Sequence, residues 1–120
     1  MRFKNWAVLP MAGFVLATGM LHNHLVKSDP SADAKIAASP TTIKLWFAEK
    51  PEVPFTSVTL MKSDSTRIAT LRAVATDDTM AVSIPLGTTT LAPGDYLVGW
   101  RTASGDGHAV RGTFRFSISP

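Results

Sequence analysis

From position 25 onward, the pattern of hydrophobic and polar residues indicates short β-strands. The apolar runs are four or five residues long, rich in β-branched and aromatic residues and partly alternating, and no stretch keeps a helical period. Clusters of Pro, Gly, Asp and Ser separate these runs. The predicted strands are Leu25–Ser28, Ile43–Phe47, Val58–Met61, Ile68–Leu71, Met80–Ile84, Tyr96–Trp100 and Phe114–Ile118. The pattern predicts an all-β protein, an antiparallel Greek-key β-sandwich of about seven strands with an immunoglobulin-like layout.

Aromatic residues of these strands are predicted to fill the interior, because a sandwich buries every second side chain of a strand and aromatic rings bury large apolar areas. The predicted core aromatics are Trp46, Phe47, Tyr96, Trp100, Phe114 and Phe116.

The first 21 residues have a different pattern. Arg2 and Lys4 precede an uncharged run, residues 6–21, that contains Pro10 and several small residues. A basic start, an apolar middle and a small-residue end are typical of a secretory signal peptide, whereas a spanning helix needs about 20 predominantly apolar residues. We therefore expect a signal peptide at residues 1–21, an exported domain at residues 22–120, and a periplasmic location.

The cleavage position stays open at this stage. Gly19, Met20 and Leu21 directly precede His22, and they lack the A-x-A pattern that a signal peptidase prefers. Cleavage after Gly19, at the end of Ala17-Thr18-Gly19, is an alternative that leaves two residues before His22. Retention of the segment as an N-terminal membrane anchor is another.

Charge and composition exclude several classes of protein. Without residues 1–21, the chain has ten basic and nine acidic residues, a net charge of +1, and no basic cluster that could follow a nucleic-acid backbone. The chain has no cysteine, so neither a disulfide framework nor a thiolate metal site can form. About 100 residues suffice for one domain, and that domain is not expected to span a membrane.

All three histidines lie in two short motifs. His22 and His24 flank Asn23, and residues two apart on a strand face the same side, so Asn23 would point away. The other motif is Asp106-Gly107-His108, in which glycine permits a tight turn that lets both side chains converge. Taken by themselves, Asp106 is better explained as a turn residue and His108 as a solvated polar residue.

If cleavage exposes His22, its α-amine and imidazole form a chelate that the loop can complete. Nitrogen ligands with one hard oxygen suit copper(II). A competing geometry uses the amine, two ionised backbone amides and His24, without the loop. We prefer the loop-assisted site, because a strand needs its amides for sheet pairing.

Three sequence blocks together resemble the CopC family of periplasmic copper-binding proteins. They are HNHLVKSDPSADA, IKLWFAEKPE and LAPGDYLVGWRTASGDGHAVRGTFRFSIS. The last block is the most specific, since a G-x-Y-x-V-x-W strand, a Ser-x-Asp-Gly-His loop and a G-x-F-x-F strand occur in order. The resemblance covers nearly all of residues 22–120.

The resemblance implies a cupredoxin-like sandwich that binds copper(II). His22 would contribute its amine and Nδ1, His108 an imidazole nitrogen and Asp106 a carboxylate oxygen. Glu49 matches an acidic residue beside the site, although its position also suits a solvent-facing strand end. His24 is either an auxiliary ligand or a packed residue outside the ligand set. Some family members also bind copper(I) through methionines, but Met61 and Met80 are isolated here, so we expect binding of copper(II) alone.

The resemblance implies a copper carrier or buffer that acts in copper homeostasis and resistance. Such a protein is not an enzyme, and it can deliver copper to an inner-membrane partner of the CopD type. One alternative is a copper-dependent oxidative enzyme with a histidine-brace site. Another is a non-catalytic β-sandwich that serves protein contacts. We also expect Trp100 to lie close enough to the metal for its fluorescence to report binding.

Overall fold

A computed structural model describes residues 23–120 of the chain. The predicted signal peptide, its cleavage site and the predicted ligand His22 lie outside the described residues.

The described residues form nine β-strands and one short 3-10 helix. The strands are β1 (Leu25–Asp29), β2 (Ala34–Ile36), β3 (Thr42–Phe47), β4 (Ser57–Lys62), β5 (Arg67–Arg72), β6 (Val74–Ala75), β7 (Ala81–Pro85), β8 (Gly94–Ala103) and β9 (Ala109–Ile118). The 3-10 helix, Val53–Phe55, lies between β3 and β4. Within residues 23–120, no helix is long and apolar enough to cross a membrane.

The strands form two sheets. One has four strands in the order β1-β3-β7-β6, and the other has five in the order β2-β9-β8-β4-β5. All pairs are antiparallel except β2, which runs parallel to β9. The expected all-β fold is confirmed, and each of the seven predicted strands corresponds to an observed one.

Two strands and one feature of the pairing were not predicted. β2 and β6 contain three and two residues, too few to show an alternating pattern, and they exist because β9 and β7 offer them a paired edge. The parallel pairing of β2 with β9 also departs from the purely antiparallel expectation. Both differences concern edge strands, so the arrangement of the longer strands in the two sheets is as expected.

The core lies between the two sheets and is built from alternate residues of the long strands. Its fully or almost fully buried members include Ile43, Leu45, Phe47, Val58, Leu60, Val82, Ile84, Tyr96, Val98, Trp100, Phe114, Phe116 and Ile118. Phe47 and Trp100 meet edge to face across the sheets, with ring centroids 5.5 Å apart.

The prediction that Trp46 belongs to the core is wrong. β3 directs Ile43, Leu45 and Phe47 inward, so Trp46 lies on the outer face of the four-stranded sheet and is only half-buried. The Nζ atoms of Lys27 and Lys44 lie 4.6 and 4.9 Å from the centroid of its ring. Trp46 is thus held by cation–π contacts rather than by the core.

Candidate metal centre

Residues 104–108 connect β8 to β9 and carry two of the predicted ligands. Ser104 is buried, and its Oγ donates a hydrogen bond to Oδ1 of Asp106 (3.0 Å). The same oxygen accepts the backbone N–H of His108 at 3.0 Å. Gly107 has a φ of +85°, a conformation that glycine adopts without strain. The loop is therefore a defined turn organised around the Asp106 carboxylate.

The turn brings Asp106 and His108 into contact. Nδ1 of His108 lies 3.1 Å from Oδ2 of Asp106, and the two side chains are 69% and 47% exposed, respectively. The pKa of Asp106 is lowered from 3.8 to about 2, chiefly because the backbone N–H of His108 donates to the carboxylate, with further bonds from the side chains of His108 and Ser104. An ionised oxygen donor and an imidazole thus lie side by side and open to solvent.

Asn23 is buried and holds the start of the described chain, a role that the sequence analysis missed. Its Oδ1 accepts hydrogen bonds from the backbone N–H groups of Glu49 (2.8 Å) and His24 (2.9 Å). Its Nδ2 donates to the carbonyl oxygen of Glu49 at 3.0 Å. Only 4% of Asn23 is exposed, so the residue after His22 has a fixed position. No periodicity signals this role, because Asn23 precedes β1 and its partner is distant in sequence.

A short segment, residues 49–52, links the start of the described residues to the loop of residues 104–108. Asn23 holds its first residue, and the N–H of its last residue, Glu52, donates to the carbonyl oxygen of Ala103 at 2.8 Å. Ala103 ends β8, directly before the loop. The chain start, Glu49 and the Asp106–His108 pair therefore lie at the same end of the sandwich. Glu49 itself is half-buried, and its backbone makes both bonds to Asn23.

His24 is exposed and borders a different surface. Its carbonyl oxygen accepts the N–H of Ala48 at 3.0 Å. It lines a groove of about 620 Å³ between β1 and β9, together with Trp100, Gly112 and Phe114. Within residues 23–120, no three His, Asp or Glu side chains lie close enough to hold a metal ion, so His24 does not complete a site with the loop pair.

The indole of Trp100 lies directly over Gly112, its partner on β9. A Cβ at Gly112 would fall 2.5 to 2.9 Å from three atoms of the indole. Glycine is therefore required here for the indole to reach the groove that His24 borders.

Comparisons with known proteins agree on one family. A family model described as "CopC domain" matches residues 25–119. The chain is 35% identical over 98 residues to Protein YobA of Escherichia coli (strain K12), covering 81% of this chain and 78% of that protein. It is 30% identical over 118 residues to copper resistance protein C of Xanthomonas campestris pv. juglandis, covering 92% and 91%, respectively.

A solved structure supports the same relationship. The crystal structure of CopC from Methylosinus trichosporium OB3b superposes with a TM-score of 0.74 at 32% sequence identity. The match covers 82% of this chain and 95% of that one.

Proposed function

The chain belongs to the CopC family, and from this premise we propose that its exported form binds one copper(II) ion. It acts as a periplasmic copper carrier or buffer in copper homeostasis and resistance. The observation that carries the proposal is the contact between Asp106 and His108, two exposed side chains of one turn that offer an oxygen and a nitrogen donor together.

The chemistry of these donors fits copper(II). Imidazole nitrogen is a ligand of intermediate softness, and copper(II) has the highest affinity of the divalent first-row metals for such sites. Asp106 keeps its negative charge over the whole physiological pH range because its pKa is about 2. Within residues 23–120 no third His, Asp or Glu lies close enough to complete a site with this pair, so the proposed third donor lies before residue 23.

We assign the third position to His22, which would contribute its α-amine and imidazole once cleavage makes it the first residue. The supporting observation is the fixed position of its neighbour, Asn23, at the same end of the sandwich as the loop. An α-amine, with an ordinary pKa of about 7.7–8.0, loses its proton on binding, so affinity decreases in acid.

The competing geometry, a local wrap by the amine, two backbone amides and His24, is less favourable in this fold. It requires the backbone N–H of His24 to ionise, yet that group donates to Oδ1 of Asn23. Binding the metal in this way would break the hydrogen bond between the His24 amide and the buried side chain of Asn23.

The ion is proposed to be copper(II) alone. Met61 lies on β4 of the five-stranded sheet, whereas the carbonyl oxygen of Met80 bonds the N–H of Phe47 beside the four-stranded sheet. Soft thioether clusters favour copper(I), and these two methionines lie on different sheets. Exposed ligands also suit a carrier that hands its ion to a partner, such as an inner-membrane protein of the CopD type, rather than a catalyst that retains it.

The test is the intact mass of the protein purified from the periplasm, with and without one equivalent of copper(II). A mass that begins at His22 and gains one copper supports the proposed site. A mass that begins at Met20 or Met1 contradicts the amine ligand. Electron paramagnetic resonance of the copper form then separates the two geometries: replacing Asp106 and His108 together should change the spectrum, and an unchanged spectrum favours the local wrap.

A further inference from the structure

All five arginines of residues 23–120 lie on one sheet. They are Arg67 and Arg72 of β5, Arg101 of β8, and Arg111 and Arg115 of β9. The strand register places each of them on the outer face of the five-stranded sheet, and all are exposed. With Lys35, Lys62 and Asp95, the strands of this sheet carry a net charge of +6, whereas the rest of residues 23–120 has three lysines and eight acidic residues and is net negative.

Three of these residues form a row across four strands. Arg101 lies directly opposite Arg111, and Ser57 of β4 pairs with both Arg101 and Arg72. We call Arg72, Arg101 and Arg111 the arginine row. With neighbouring strands about 4.8 Å apart, the row spans roughly 15 Å.

The charge of the row is not neutralised within the described chain. The strands of this sheet contain one acidic residue, Asp95, which pairs with Ser117 at the other end of the β8–β9 hairpin. Glu52 shares a small pocket with Arg101, but the ion pair found among residues 23–120 is the one between Asp106 and His108. Like charges directly opposite each other on two strands are destabilising, so folding does not account for the Arg101–Arg111 pair.

A groove of about 550 Å³ accompanies the row on the same face. Its lining includes Arg101, Arg111 and Trp100, and the other lining residues are small or flexible: Ser57, Thr59, Met61, Gly99, Gly112 and Thr113.

We propose that the arginine row and this groove dock an extended acidic segment of a protein partner. In an extended chain, side chains on one side are about 6.6 Å apart, so three carboxylates at alternate positions span about 13 Å, which is close to the length of the row. Arginine forms bidentate, charge-assisted hydrogen bonds with carboxylates. The groove favours a peptide over a membrane surface, because a lipid headgroup layer cannot enter it.

The docking surface lies beside the proposed metal site, although the inference does not depend on copper. Arg101 and Arg111 belong to the hairpin whose loop carries Asp106 and His108. A partner bound at the row would therefore meet the loop from which copper is to be transferred.

The experiment uses a fluorescein-labelled peptide with three glutamates separated by serines, measured by fluorescence anisotropy with the exported protein. The matched peptide has glutamines in place of glutamates. Wild-type protein should bind the glutamate peptide, and salt should weaken binding because it screens exposed charges. The double variant R101Q/R111Q should lose about tenfold or more in affinity. K27Q/K44Q removes the same charge from the opposite sheet and should bind like wild type.

Further readouts keep the proposal open to refutation. The copper affinity and melting temperature of R101Q/R111Q should not decrease, since the variant removes a repulsion and touches neither Asp106 nor His108. On wild-type protein, the peptide should shift amide resonances of residues 99–101 and 111–113. Equal losses in both double variants, or shifts elsewhere, would overturn the proposal. So would row-dependent binding to vesicles of phosphatidylglycerol and phosphatidylcholine without peptide binding, or row-dependent self-association in sedimentation.

Discussion

The side chain of Asn23 and the backbone of Glu49 exchange two hydrogen bonds, of 3.0 and 2.8 Å, across 26 positions of sequence. The amide of Asn23 thus occupies the place that a neighbouring strand residue would take. It anchors the start of the chain to the segment that also bonds Ala103, the residue preceding the loop of Asp106 and His108. The residue next to the proposed ligand His22 is therefore anchored by its own side chain, and that residue is not proposed as a ligand.

Replacing Asn23 with alanine should weaken both the fold and copper binding. Backbone groups that Asn23 satisfies would lose their partner, at a cost of about 1–3 kcal/mol in the free energy of unfolding. Copper affinity should decrease as well, because the backbone next to the proposed ligand His22 would no longer be anchored to Glu49. Urea denaturation and copper titration measure the two effects.

The control for that variant is Ser39→Ala. Oγ of Ser39 accepts a hydrogen bond from the N–H of Leu91. Leu91 precedes β8, so this bond lies at the end of the sandwich opposite to the loop of residues 104–108. This change should cost roughly 0.5–1.5 kcal/mol of stability and leave copper affinity unchanged. Equal copper affinities for wild-type protein and Asn23→Ala would refute the anchoring role.

Replacement of Asp106 by asparagine or of His108 by alanine should reduce copper(II) affinity by more than about 100-fold. Ser104→Ala should have a smaller effect, about 10-fold, because Ser104 orients the carboxylate without contacting the ion; partners of metal ligands typically contribute 10–100-fold. Competition titrations with a chelator measure this order. The ligand assignment fails if Ser104→Ala costs more than Asp106→Asn.

The carboxylate of Asp106 should titrate with a pKa of about 2 in the metal-free protein, below its ordinary value of 3.8. The folded state favours the ionised form, so the stabilisation is fully present above pH 3.8 and is lost as the pH falls through about 2. Carbon-detected NMR of the side-chain carboxyl follows the titration. In Ser104→Ala the pKa should move upward toward 3.8, and an unshifted value would contradict the role of the Ser104 hydrogen bond.

Gly112→Ala should displace the indole of Trp100, since a Cβ there would overlap the ring. We expect a loss of about 1–3 kcal/mol in stability and a shift in tryptophan emission. In Gly99→Ala, on the neighbouring strand, the new Cβ would lie 3.2 Å from the flexible end of Met61 and at ordinary contact distance, 3.7 Å, from the carbonyl oxygen of Thr59, so stability should change by less than about 1 kcal/mol. Similar effects of both substitutions would argue against close packing of Trp100 on Gly112.

Copper(II) should quench the emission of the wild-type protein if Trp100 lies near the ion. Trp46, on the outer face of the four-stranded sheet, serves as an internal reference, because replacing it with phenylalanine should preserve the copper-dependent change. Emission that does not respond to copper would place the ion away from the groove that Trp100 lines.

The sequence alone determined the long strands and the loop residues. The alternation of apolar and polar residues in Ile43–Phe47 and Tyr96–Trp100 predicts which side chains are buried, because successive side chains of a strand point to opposite faces. The Ser-x-Asp-Gly-His turn could also be predicted, since its hydrogen bonds join residues two or three apart. Local interactions of this kind leave a local pattern.

Tertiary structure decided everything that depends on which strands become neighbours. The short strands β2 and β6 form because longer strands offer them an edge, and Trp46 faces outward because β3 turns its other side to the core. Asn23 finds Glu49, and three arginines from three strands form one row, only after the sheets assemble. Contacts between residues distant in sequence are set by strand register, which single positions in the sequence do not encode.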